Sequence, residues 1–223
     1  MPNRHQLAEA VDALARFHQT AAQLTQTTQI VAESPAVGQR AALLKQLQQG
    51  GWQQLEAAVQ NRAADDEMRR RLVVLGQELL RDSRQLVPRL TQRIDTLAKE
   101  ELILQLCHGD IHVEHVLFAD EAVSGLIDFA NMRVDTPLTD LARLLGSYAA
   151  QVQQNWNQGL ELCRQRYDLP ERELSWLRVL DDSSLVLSAA NWLRWLFVEQ
   201  RKFPMTRVLT RIQLLQRRLG RRR

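Results

Sequence analysis

Every β-like segment of this 223-residue chain falls between residues 101 and 130, and helical periodicity fills the rest. That distribution excludes a sandwich, a barrel or a doubly wound parallel sheet, each of which needs strands spread along the chain. In residues 3–30, Leu7, Val11, Leu14, Phe17, Ala21 and Leu24 recur every three or four positions, which predicts one helix, broken at Ser34-Pro35. Further helices are expected at about 37–49, with Ala41, Leu44 and Leu47 inward and Gly50-Gly51 as the stop, and at 52–62. Another covers 65–86, where Asp65, Asp66 and Glu67 suit the positive end of the macrodipole, and Pro88 kinks or restarts it. Thr136-Pro137 reads as a cap and first helical position, with Leu138, Leu141, Leu144, Leu145 and Tyr148 on one face. Helices at 147–166, 170–181, 184–200 and 204–219 complete the chain, with no linker to split it.

The exception reads LILQLC, VEHVLF and VSGLIDF, three short apolar runs. The last two, joined by Ala119-Asp120-Glu121, predict a hairpin. Charge is divided as sharply. Residues 100–140 hold nine acids and only Arg133 as a base, whereas residues 201–223 hold nine bases and no acid. A field spread over the whole molecule, as nucleic-acid binding requires, is not indicated. In the basic tail, Val208, Ile212, Leu215 and Leu219 form an apolar stripe opposite Arg207, Arg211 and Arg218, so it reads as a packed amphipathic helix. Two cysteines cannot make a disulfide framework, no long uncharged apolar stretch predicts a membrane span, and MPNRHQLAEA lacks the apolar core of a signal peptide. The expectation is a cytoplasmic protein.

Chemistry is concentrated in CHGDIHVEHVLF, residues 107–118, and in GLIDFANM. Asp110 and Asp128 stand on loops that the hairpin returns to one edge. One carboxylate there can accept a proton from an attacking hydroxyl, and the other can hold a divalent cation against phosphate charge. An acid-rich segment suits Mg²⁺, which prefers carboxylate oxygens and water. His108, Asp110, His112 and His115 also form a ligand-rich H-x-D-x-H-x-x-H run, the signature a transition-metal hydrolase would need.

HGDIHVEHVLF followed by GLIDFANMRVDTPLTDLARLLGSY resembles the aminoglycoside phosphotransferase and choline kinase-like family, relatives of protein kinases that phosphorylate small-molecule hydroxyls. The resemblance covers about 45 residues directly. It implies a mainly α protein with a small β-hairpin, the C-terminal helical lobe of a protein kinase-like fold, as one domain over residues 1–223. Within it, 1–100 are helical, 101–130 carry the catalytic loop and hairpin, and 136–220 are helical. It also implies ATP and Mg²⁺ as cofactors. By position, Asp110 matches the catalytic base, Asp128 the metal-binding aspartate and Asp140 the helix aspartate that braces the loop. His108 and His112 match loop-bracing histidines. His115 takes the place of the metal-ligand Asn, and its imidazole suits transition metals better than Mg²⁺. No G-x-G-x-x-G occurs, and none of Lys45, Lys99 and Lys202 lies in a Val/Ile-rich strand. The N-terminal β-lobe is therefore absent from the sequence, pointing to a truncated or one-lobe form completed by a missing lobe or partner chain. The two functional readings are phosphoryl transfer to a small-molecule hydroxyl and a degenerate kinase-like binding module without catalysis.

Overall fold

The computed structural model of the chain describes residues 3–24, 30–62, 66–150 and 154–222. It is mostly helical, with two small antiparallel sheets. The helices are α1 (Arg4–Leu24), α2 (Pro35–Gln46), α3 (Trp52–Gln60), α4 (Glu67–Leu97), α5 (Pro137–Ala149), α6 (Gln154–Tyr167), α7 (Glu171–Leu193) and α8 (Met205–Gly220). The strands are β1 (Ile30–Glu33), β2 (Glu101–Cys107), β3 (Val116–Ala119), β4 (Ala122–Leu126) and β5 (Arg133–Asp135). None of the described helices is long and apolar enough to cross a membrane. The chain divides into two compact units, Met1–Gly38 with Thr96–Asp181, and Gln39–Asp95 with Asp182–Arg223.

In the first unit, α1 and α5 both pack on α6. Leu7, Val11, Leu14 and Ala21 are buried along α1, on the face their spacing predicts. All five predicted positions of α5, Leu138, Leu141, Leu144, Leu145 and Tyr148, are buried, each apolar side chain worth about 1.5–3 kcal/mol of transfer free energy. Thr136 caps α5 by accepting from Leu138 N–H, with Pro137 at the first turn. A Cβ on Gly159 would lie 2.4 Å from a Leu145 methyl, so the glycine is what lets α6 approach α5.

The β content exceeds the expected hairpin. That hairpin exists, β3 against β4, with a register shift between Leu117 and Phe118. A separate sheet of order β1-β2-β5 pairs Val31 with Ile103 and Leu106 with Val134. The helix expected over 3–30 therefore gives way to a strand at Ile30, where β-branched residues meet β2. Residues 25–29 lie outside the described ones. VEH is a single 3₁₀ turn rather than strand.

Ser34 begins a helix instead of only breaking one. Its Oγ accepts from Val37 N–H at 3.2 Å and donates to Asp135 at 2.5 Å. Asp135, buried in the first unit, also accepts from Ala36 N–H at 2.9 Å and Thr136 N–H at 2.8 Å, so one carboxylate seats the starts of α2 and α5.

In the second unit, Leu44, Trp52, Leu55, Leu79, Ile94 and the α8 stripe of Val208, Ile212, Leu215 and Leu219 are buried. Gly50 (φ 122°) ends the wide turn after α2. The helix does not restart at Pro88 but runs on as one element. Pro88 lies within α4 on its solvent face, where water can satisfy the carbonyl its ring leaves unbonded. Asp66 caps α4 by accepting from Arg69 N–H at 2.7 Å, while Asp65 lies outside the described residues. The expected helices at 170–181 and 184–200 are one continuous helix through Leu193. Trp192 and Trp195 cluster edge-to-face with ring centroids 5.4 Å apart, and Phe203 lies 5.3 Å from Trp192.

Candidate active site

β2 delivers the chain into the loop His108–His112, and α5 holds that loop from below. Asp140, in the first turn of α5 and 1% exposed, accepts from the backbone N–H of His108 at 2.7 Å and of Gly109 at 2.9 Å. Gly109 has φ 81°, and a Cβ there would stand 2.1 Å from the Asn131 carbonyl oxygen, so only glycine fits. The buried His108 ring donates through Nε2 to the Ile127 carbonyl at 2.9 Å, and its Nδ1 accepts from Asp110 N–H at 3.3 Å. A neutral ring satisfies both bonds, and it ties the loop to the end of β4.

Asp110 points outward with its side chain 27% exposed, and Arg143 of α5 meets its carboxylate at 2.5 Å. Asp128 lies two residues past β4 in the left-handed region (φ 66°), which Asp tolerates better than most side chains, and is 49% exposed. His115 joins the two loops. Its Nδ1 donates to the Asp110 carbonyl at 2.9 Å, and its Nε2 faces Asp128 Oδ2 at 3.4 Å. His112 lies against His115 with ring centroids 3.7 Å apart and accepts from Glu114 N–H. Burial, and then the neighbouring His115, push the His112 pKa down. Asp110, His112 and His115 each offer a ligand atom within 4.8 Å of the others. Asp110, Asp128, His115, His108, His112 and Asp140 thus gather at one edge of the first unit.

Three contributors had no signal in the sequence reading. His18, taken as an ordinary helix position, is 1% exposed and donates through Nε2 to Asp140 Oδ2 at 3.1 Å. Its Nδ1 accepts from the Tyr167 hydroxyl at 2.9 Å. Ser147 of α5 accepts from Val113 N–H at 2.9 Å. Arg143, three residues after Asp140 on α5, meets Asp110, a partner that its position on the helix does not reveal. Cys107, beneath the loop, donates its thiol proton to the Asp135 carbonyl at 3.1 Å, and burial pushes its pKa far up. Its sulfur lies within 4.8 Å of ligand atoms of His18 and Asp140, but a protonated thiol is a poor metal ligand.

A model of the phosphotransferase enzyme family matches residues 2–174. Among solved structures, an aminoglycoside phosphotransferase from Alicyclobacillus acidocaldarius is 17% identical, with a TM-score of 0.65 over 97% of this chain and 63% of that one. A glucosamine kinase, solved with glucosamine, ADP and inorganic phosphate, is 16% identical, with a TM-score of 0.59 over 96% and 53%. A choline/ethanolamine kinase family protein from Mesorhizobium loti is 15% identical, with a TM-score of 0.50 over 94% and 61%. The likeness is one of fold, and this chain spans about half to three-fifths of the length of those structures. A comparison with curated proteins found no match.

Proposed function

The chain belongs to the phosphotransferase enzyme family, and we propose that residues 1–223 form the helical, C-terminal lobe of an ATP-dependent phosphotransferase acting on a small-molecule hydroxyl. The observation that carries this reading is the pair of hydrogen bonds from His108 and Gly109 N–H to Asp140, which fix the loop that presents Asp110. In this reading Asp110 accepts the proton of the acceptor hydroxyl, and Asp140, His108 and His112 hold the loop in place.

Asp128 and His115, facing each other across 3.4 Å, fit a divalent cation, the place the family resemblance gives to Mg²⁺. A cation bound there would supply positive charge to the phosphate oxygens of ATP. Arg143 faces the same carboxylate as the acceptor, so the hydroxyl must enter between the guanidinium and Asp110 or displace it. The phosphate-covering loop and its lysine would come from a missing N-terminal lobe or a partner chain. Cytoplasm, reducing and rich in ATP, suits two buried free cysteines.

A second reading, a kinase-like binding module without catalysis, is favoured by His115 in place of Asn. The test is ATP-dependent phosphorylation across a panel of sugars, amino alcohols and aminoglycosides, with the chain joined to a β-lobe that carries the phosphate-covering loop and lysine, and with the Asp110→Asn variant of the same protein. The expected result is turnover that falls about 10²–10⁴-fold in kcat in the variant. Equal turnover overturns the role of Asp110. No turnover, together with no thermal shift at millimolar ATP and Mg²⁺, selects the binding module.

A further inference from the structure

We propose that the cation position between Asp128 and His115 is built for a divalent first-row transition ion, Mn²⁺ or Zn²⁺, in preference to Mg²⁺; the inference deepens the reading above and rests on it for the location of the site.

The orientation of His115 is the first support. Its Nδ1 faces a backbone carbonyl, which only accepts, so Nδ1 carries the hydrogen. In the neutral ring Nε2 then holds a lone pair, 3.4 Å from Oδ2 of Asp128. A ring nitrogen whose partner nitrogen donates to a backbone carbonyl is the usual arrangement of a metal-ligating histidine, because that outer bond fixes the tautomer and the plane of the ring.

The spacing agrees. At 3.4 Å, Nε2 and Oδ2 are farther apart than in a well-formed N–H···O bond. Two ligand atoms each about 2.1 Å from one ion, at angles between octahedral and tetrahedral, stand roughly 3.0–3.5 Å apart. His112, tilted against His115, offers a second imidazole within 4.8 Å of the ligand atoms of His115 and Asp110.

Donor chemistry decides the ion. Mg²⁺ takes oxygen ligands and keeps its waters, whereas imidazole nitrogen favours the transition series, with affinity rising from Mn²⁺ towards Zn²⁺. Because the same imidazole holds the Asp110 carbonyl, occupancy of this position also steadies the loop that carries Asp110.

The test titrates the metal-free full chain with MnCl₂, ZnCl₂ and MgCl₂ by calorimetry and records the Mn²⁺ electron spin echo spectrum. The expected result is one Mn²⁺ or Zn²⁺ per chain, bound at least tenfold tighter than Mg²⁺, with ¹⁴N coupling from imidazole in the Mn²⁺ spectrum. His115→Asn should weaken Mn²⁺ and Zn²⁺ by 10-fold or more and narrow their advantage over Mg²⁺. Mg²⁺ bound as tightly as Mn²⁺, an unaltered Mn²⁺ affinity in His115→Asn, or absent ¹⁴N coupling overturns the proposal. The spectrum needs only the unsubstituted protein, so it decides the matter even if the variant fails to fold. Phosphoryl transfer with no preference among ions would sink this inference and leave the phosphotransferase reading standing. A nitrogen-ligated ion in a chain that phosphorylates nothing would do the reverse.

Discussion

His18 and Asp140, 122 positions apart in sequence, meet through a 3.1 Å hydrogen bond in the interior of the first unit. Oδ2 of Asp140 receives both that bond and the His108 N–H, so α1 helps to set the position of a loop it precedes by most of the domain. His18→Ala removes the donor and leaves the part-buried Tyr167 hydroxyl without its acceptor. The expected cost is about 1–3 kcal/mol, read from urea unfolding, with partial recovery in His18→Gln, whose amide can still donate. An unshifted midpoint in His18→Ala would show that the bond contributes nothing.

Gly109 tests how closely the loop approaches the turn after Asp128. Gly109→Ala meets the Asn131 carbonyl and also demands a left-handed alanine. A loss of about 2 kcal/mol or more is expected in thermal melts. Gly125→Ala, with open space around its Cβ, should stay within about 1 kcal/mol of the parent.

Asp135 accepts from the Ser34 hydroxyl, from Ala36 N–H and from Thr136 N–H while fully buried. Asp135→Ala strands all three donors, and a loss of about 3–5 kcal/mol is expected in denaturant titration. Arg133→Ala removes only a partner that is 42% exposed and 3.5 Å away, and should cost under about 1 kcal/mol. Similar losses in the two variants would refute the capping role.

Burial raises both thiols, Cys163 to about 12 and Cys107 further. Unfolded thiols titrate near 8.5, so above that pH the unfolded chain holds fewer protons than the folded one. The stabilisation is whole below about pH 8.5 and is lost as pH climbs from there towards 12. The midpoint temperature should fall between pH 8.5 and 10.5, and less steeply in Cys163→Ala. At pH 8 neither thiol should react with Ellman's reagent until guanidinium unfolds the protein, and prompt labelling of the native chain would contradict the burial.

Much of this was legible locally. The Thr136-Pro137 cap, the α8 stripe and the hairpin each advertise themselves within a dozen residues, through periodicity or turn chemistry. The three-stranded sheet did not, because β1 and β5 are only four and three residues long and owe their form to a β2 strand distant in sequence. The helix across Asp181-Asp182-Ser183-Ser184 was missed for a related reason. Those residues disfavour an isolated helix, yet Arg40 reaches both serines in the second unit, at 3.1 and 2.8 Å. The acidic motif residues could be named from their pattern. His18 and Arg143 could not, since a lone histidine or arginine on a helix says nothing of what it will face.

The brace and the proposed base are separate side chains. Both carboxylate oxygens of Asp140 are engaged, by the His108 and Gly109 N–H groups and by His18, and none of those bonds involves the Asp110 side chain. Selection can therefore relax on one without loosening the other: a lineage that abandons turnover would still inherit the HGD turn, in the same shape, for as long as the protein stays folded. Persistence of the motif is thus a record of architecture first, and of chemistry only when the outward-facing carboxylate is shown to be in use.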